Sequence, residues 1–451
     1  MRRAAEDSVD DRARSWEEKL RATDPGEDVR PERGTGSIFR VPESIRATDP
    51  SAYEPKIVSI GPYHRDKPHL KPMDQVKLLY LKRILRRNPR AGLKDYLQLV
   101  NGLVARSRSC YAAEEAITGM SAEEFSDMLL LDGCFIIELL LANHAASRGE
   151  QTRGNDPILG NTLTLSLVEY DVLLLVENQL PFFVLESLFN LVAVSDEENS
   201  LSLVDLAIDF STCHLPPKCS LQQPAATNFY HLLHLFHSCV AADGVEPESI
   251  PFNLTRHTEV PRIPCATDLM HAQVELRRKT DGNSYTMSFG QQRVLKIAPG
   301  RQLDSGSSCL YRNLIAFEQH FFGEVKGQIT AYTMFMGCLI DSEKDLTLLR
   351  QHRLIEYTTL DSQESALFFR KLCRDAIRDY DKMYCSHLMD ISEKVWEYYG
   401  KRWTQWAALF RRIYFPDPKD AVNLFYGVIL VVFLTALQTF YTVYAYYRPP
   451  K

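Results

Sequence analysis

Apolar and polar positions alternate with a helical period over most of the chain, in three distinct patterns. The first is one-sided: 75–87 behind Asp74, 93–117 (LKDYLQLVNGLVARSRSCYAAEEAI) and 201–211 each carry their apolar residues on one face. That pattern predicts amphipathic helices lying against a core. In the second pattern the apolar residues run nearly all round. Met128 to Leu141 does this within SAEEFSDMLLLDGCFIIELLLANH, whose start is marked by a Ser121–Glu124 capping box. A second such run, 167–192 (LVEYDVLLLVENQLPFFVLESLFNLV), is interrupted by Pro181. Both are expected at the centre of the core, and both are too short and too charged to cross a bilayer.

The third pattern appears once. From Ala421 to Tyr447 no residue is charged. At ~1.5 Å per residue this stretch could reach ~40 Å, against ~30 Å of bilayer hydrocarbon. Tyr426 at one end and Tyr441, Tyr444, Tyr446 and Tyr447 at the other would form aromatic belts. A transmembrane helix over 421–447 is therefore expected. Gln438 lies deep within it and needs a partner: a backbone carbonyl, a second helix or local water. Cations are more numerous before the span than after it, which places the bulk of the chain in the cytosol as a single-pass, tail-anchored protein. No apolar run opens the chain as a signal peptide would. Which membrane, plasma membrane or endomembrane, is left open.

Between these stretches the chain reads as follows. Residues 1–36 are polar and charged and are expected to be a disordered leader. From Ser37 the prolines at 42, 50, 55, 62, 68 and 72 forbid a long helix, so IFRVP and KIVSIGPYH should be short extended pieces wrapping a body. Exposed loops are expected around 143–160 and over 241–265, the latter a candidate internal boundary. Around Gly290, alternating residues predict a β-hairpin. Helical periods then return from 312 to 400, and 401–420 forms a juxtamembrane segment. The fold class is thus mostly α: a large helical body over 37–400, a small β-hairpin element and one C-terminal transmembrane helix.

Composition narrows the function classes. The chain has 451 residues, 45% of them hydrophobic, and a formal net charge of −6. That is ample for a substantial core, and the absence of a basic block argues against nucleic acid. Ten cysteines without a close pair suit reduced, buried thiols. No nucleotide-binding, zinc-protease or hydrolase motif is present.

Several residues nevertheless invite a chemical reading. His64, in the turn GPYH, has no sequence neighbour to complete a dyad and is expected to brace its loop. Asp132 must be paired if buried, with Arg106 or Arg108 as the expected partner. Glu177, Asn178 and Gln179 stand before Pro181, where they could satisfy freed backbone groups; Asp132, Asp171 and Glu177 could instead converge as a carboxylate cluster for Mg²⁺ or Ca²⁺. Cys213, His214, Cys219, His231, His234, His237 and Cys239 form the densest Cys/His region. The histidine spacing does not converge on one zinc ion, so aromatic packing at a helix edge is expected. Glu318 and Asp341 look like core-edge carboxylates needing arginine or backbone partners. In KRWTQWAALFRRIYF, Trp403 and Trp406 share a face from which Arg411 and Arg412 are displaced, as in a helix lying in the headgroup layer or packing on the body. No cofactor or metal is expected.

The blocks IFRVP (38–42), VSIGPYH (58–64), FSDMLLLDGCFIIELL (125–140), DVLLLVENQLPFFVLE (171–186), RNLIAFEQ (312–319), LIDSEKDLTLL (339–349) and FLTALQTFYTVYAYY (433–447), in this order, resemble the plant-specific domain of unknown function 247 family. The resemblance spans about 38–447. It implies a mostly helical body with a carboxy-terminal membrane helix and no assigned chemistry. Some grass members look like determinants of pollen–stigma self-recognition, which implies a recognition role. The expected function is therefore non-catalytic protein recognition or signalling at a lipid bilayer, with an unidentified protein partner and no nucleic acid. The alternative is a membrane-tethered enzyme using the buried acids.

Overall fold

The proline-rich stretch after Ser37 forms neither a long helix nor a sheet in the computed structural model. That structure describes residues between 35 and 447, less intervening segments of which 213–227, 242–262 and 400–417 are the longest. The leader up to residue 34 and residues 401–417 of the juxtamembrane segment, with Trp403, Trp406, Arg411 and Arg412, lie outside the described residues. So does most of the 241–265 loop.

From residue 36 to 64 the chain is a strap. It makes one parallel bridge, Ile38 to Tyr111, one helical turn at Glu43–Arg46 and a 3₁₀ turn at Pro50–Tyr53. Its apolar side chains, among them Ile38, Val41, Tyr53, Val58 and Ile60, are buried.

The strap wraps a first helical group. Helices α1 (Met73–Arg87), α2 (Leu93–Ser109), α5 (Phe182–Val192) and α6 (Leu203–Ser211) surround α3 (Ala122–Ser147). The Ser121 hydroxyl accepts from Glu124 N and the Glu124 carboxylate accepts from Ser121 N, so the capping box read from the sequence starts α3. Gly133 lets α5 approach: a Cβ there would stand 2.4 Å from Leu188 Cδ1. Helix α2 stops at Ser109, short of the predicted end at 117, and a separate helical turn, Glu115–Thr118, follows.

The run 167–192 is two helices rather than one interrupted helix. Helix α4 (Thr162–Leu173) ends before the ENQLP sequence, 174–181 is non-helical, and α5 opens immediately after Pro181. The proline thus sits just ahead of the first helical position, where its missing N–H costs nothing.

A second group follows. Helices α7 (Leu232–Val240) and α8 (Ala266–His271) lead into strands β1 (Glu275–Arg278), β2 (Met287–Phe289) and β3 (Val294–Ile297). The predicted hairpin is the antiparallel β2–β3 pair, but β1 lies parallel on the other side of β3, giving the order β1-β3-β2. Helices α9 (Ser305–His320), α10 (Gln328–Leu339), α11 (Glu343–Gln351) and α12 (Ser362–Ala376) pack beside one another, and α13 (Ser386–Tyr399) covers β2. Helix α7 contacts α4, α6 and α9, while the Pro50–Tyr53 turn lies on α9. One buried apolar cluster accordingly contains residues from Ile38 to Val395. The protein is mostly helical with one small sheet. Helix α14 (Pro418–Tyr447) ends the described chain, and none of its Tyr426–Val443 window is buried.

Candidate functional site

A buried strap outside regular structure leaves its amides and carbonyls without a ladder to join, and each needs another partner. The candidate residues gather on that need. Asp171, on α4, accepts from the amides of Lys56, Ile57 and Val58 at 2.8–2.9 Å. Asp132, on α3, accepts from Gly61 N at 2.9 Å. Glu177 accepts from Val41 N at 2.9 Å and Asn178 Oδ1 from Ile60 N at 2.7 Å. The donors opposite them return the contact: Asn178 Nδ2 reaches Val58 O and Lys77 Nζ reaches Ser59 O.

The same ENQ sequence closes the end of α4. Asn178 Nδ2 donates to Asp171 O, and Gln179 Nε2 donates to Val172 O and Leu175 O. These carbonyls lie at a helix end, where the intrahelical ladder stops. Gln179 Oε1 accepts from Leu233 N at the start of α7. Asn313 on α9 bridges the strap and this turn, donating to Ala52 O at 2.8 Å and accepting from Val176 N at 3.0 Å.

Charge is balanced locally. Asp132 is paired with Lys77 at 2.6 Å, not with Arg106 or Arg108. Arg108 instead donates to the carbonyls of Ile117, Met120 and Ser121, and Arg106 lies over the Phe183 ring. The expected arginines sit on α2, whereas Lys77 sits on the core-facing side of α1 with Tyr80 and Ile84. Glu177 is paired with Arg46. His64 Nε2 is 3.3 Å from Glu177 Oε2 but not aligned for a hydrogen bond, and its Nδ1 has no partner among the described residues. Burial holds the His64 imidazole below its usual range. Burial also pushes the Asp171 carboxyl up to about 6, against the pull of its three amide donors.

Glu318 does the same work in the second group. Its two oxygens accept from the amides of Ile329 and Thr330, the Thr330 hydroxyl and His237 Nε2. A buried glutamate of α9 therefore caps the first turn of α10 and ties down α7. Asp341 departs from expectation: it is exposed, though it does meet Arg370 at 3.0 Å. The buried acid of that block is Asp345, which accepts from Thr267 and Ser342. The spacing Ser342-x-x-Asp345 is a capping-box signal that identifies it.

The histidines of α7 are also occupied. His231 Nδ1 accepts from His234 N as the helix cap, and His234 Nδ1 accepts from Tyr230 N. All three rings pack on Phe317. No group of three or more metal-ligating side chains is assembled among the described residues, and Cys213, His214 and Cys219 lie outside them.

What the arrangement can do chemically follows from the acceptors. Each oxygen of Asp132, Asp171, Glu177, Glu318 and Asp345 already holds a protein donor. A metal ion or a reacting proton would first have to displace a backbone amide or a charged partner. Asp132, Asp171 and Glu177 clamp the strap, and Glu318 and Asp345 tie together elements of the second group.

A family model described as a plant protein of unknown function matches residues 38–433. A UPF0481 protein of Arabidopsis thaliana is 29% identical over 443 residues, covering 92% of this chain and 87% of the relative. A putative UPF0481 protein of the same plant is 23% identical over 503 residues, covering 92% of this chain and 91% of the relative. No solved structure matches.

Proposed function

The chain belongs to the DUF247 family of plant proteins of unknown function, and from that premise we propose that it is a membrane-anchored recognition protein without catalytic activity of its own. The observation that carries this reading is α14. Its Tyr426–Val443 window has a mean hydropathy of 1.8, and the body covers none of it. A core helix of a soluble domain with this composition would be mostly buried, and leaving so many apolar side chains in water would be costly. The bilayer is the solvent that suits it. The chain crosses once, with the helical body on the cytosolic side.

The engaged carboxylates support the non-catalytic half of the reading. Acid–base chemistry requires a carboxyl group within reach of substrate, and here the buried ones hold the fold together. Recognition then falls to surface loops and to the exposed faces of the helices, as it does wherever a rigid scaffold presents variable segments. Proximity labelling of the intact protein in plant cells, against a chain ending at Asp420, tests both halves. A specific protein neighbour at a membrane, lost on truncation, is the expected result. Recovery of lipid-insertion machinery alone would overturn the recognition role, and identical neighbours for both chains would overturn the anchor.

A further inference from the structure

The apolar helix is not apolar throughout. Positions 427, 431, 435, 438 and 442 follow at intervals of three and four, so they share one side of α14. They are Gly427, Val431, Thr435, Gln438 and Thr442. The bulky rings of Phe433 and Phe440 lie on the opposite side. This face is small as well as polar, and two such faces can approach closely.

Its hydroxyls are satisfied within the helix. Thr435 donates to Val431 O and Thr442 to Gln438 O, both at 2.7 Å. The Gln438 side chain has no such bond: among the described residues its carboxamide meets no partner. It lies inside the Tyr426–Val443 window, about one helical turn from its centre. A carboxamide in hydrocarbon needs a hydrogen-bonding partner, because no water competes for it there.

Among the described residues, nothing in this chain supplies that partner. Among the described residues α14 is the one helix long and apolar enough to cross, and the shorter apolar helix Phe182–Val192 has its core-facing side chains buried in the body. A carboxamide carries both donor and acceptor, so two of them related by a twofold axis satisfy each other. A second copy supplies the matching group at the matching depth, beside the same small residues.

We infer that two copies of this chain pair through α14, each Gln438 donating to and accepting from the other across a twofold axis. The pairing rests on the membrane-anchored reading above. It makes the protein a dimer in the bilayer, with two bodies presented side by side.

The test uses full chains labelled at the amino terminus with donor or acceptor fluorophores and mixed in phosphatidylcholine vesicles. Energy transfer is followed as protein is diluted with lipid, and alkaline carbonate washing is run in parallel. The intact chain is expected to show transfer, and Gln438→Leu to weaken dimerisation roughly 3- to 20-fold. Gln438→Asn, which keeps the carboxamide, should retain most of it, and Phe433→Leu on the opposite side should change little. All four chains should resist alkali. Transfer that is absent, or equal in the intact chain and Gln438→Leu, while the chains stay in the vesicles, overturns the pairing alone. Release of the intact chain by alkali overturns the anchor and the pairing with it.

Discussion

At Asp132 a single carboxylate joins three segments: α3 that carries it, Lys77 of α1, and the strap at Gly61. Asp132→Ala leaves a buried ammonium unpaired and an amide unsatisfied, and is expected to cost about 3–5 kcal/mol in denaturant unfolding. Adding Lys77→Met should recover part of that loss, because it removes the stranded charge. Additive losses would mean that the pair is not coupled. Gly61 holds φ +73°, and a Cβ there would lie 2.8 Å from Gln179 O, so Gly61→Ala is expected to cost about 1–3 kcal/mol.

The buried imidazoles predict a pH response. Burial keeps His64 and His231 below the ordinary range. Between their folded values and about 6.5 the unfolded chain binds protons that the folded chain refuses, so stability falls as pH drops through that window. The slope is up to about 1.4 kcal/mol per pH unit for each histidine. Asp171 acts the other way: with its carboxyl raised to about 6, its contribution is fullest at low pH and fades as pH rises through that value. His231→Asn keeps an acceptor for His234 N and removes one titrating group. Thermal unfolding between pH 7 and 5 should then show a shallower decline; the same decline would remove His231 from the account.

At the scale of elements, the sequence was legible where local chemistry fixes structure. The Ser121–Glu124 box, the all-round apolar α3 and the β2–β3 hairpin could all be read from neighbouring residues. Strand β1 could not be, since ELRR pairs with VLKI only through a parallel register nineteen residues away, and Glu275 and Arg277 give it no alternating apolar signal. The run 167–192 reads as one helix interrupted at Pro181 because both halves are apolar. Between them lies a turn whose Asn178 meets the strap at Val58 and Ile60 and whose Gln179 ties the end of α4 to the start of α7, a tertiary requirement that periodicity does not record. Similarly, Asp132 was seen to need a cation, but the choice between α1 and α2 depended on how the helices pack. Glu318→Gln puts an amide donor among the amides that begin α10. It should cost about 2–3 kcal/mol in unfolding, with faster hydrogen exchange at Ile329 and Thr330 than in the rest of α10. Uniform exchange along α10 would argue against a capping role.

For the whole molecule, the proposed membrane anchoring gives the body and α14 different solvents. A charge at Leu434, near the centre of the window, is expected to cost about 2.5–3.5 kcal/mol of insertion. Leu434→Arg should therefore reduce membrane retention while leaving the unfolding curve of the body unchanged, because residues 426–443 make none of its core. A destabilised body would instead identify α14 as a core helix.

The strap also sets a schedule. Ala52 O waits for Asn313, 261 positions later, and Val41 N waits for Glu177, 136 positions later. At ribosomal rates the first of these intervals lasts roughly 10–50 s. For the first part of that time Val41, Val58 and Ile60 are made before Asp171, Glu177 and Asn178, the partners that hold their amides. Most of the strap's partners, Asp132, Asp171, Glu177 and Asn178, arrive with the first helical group, and the contact at Ala52 closes only when Asn313 of the second group has been made.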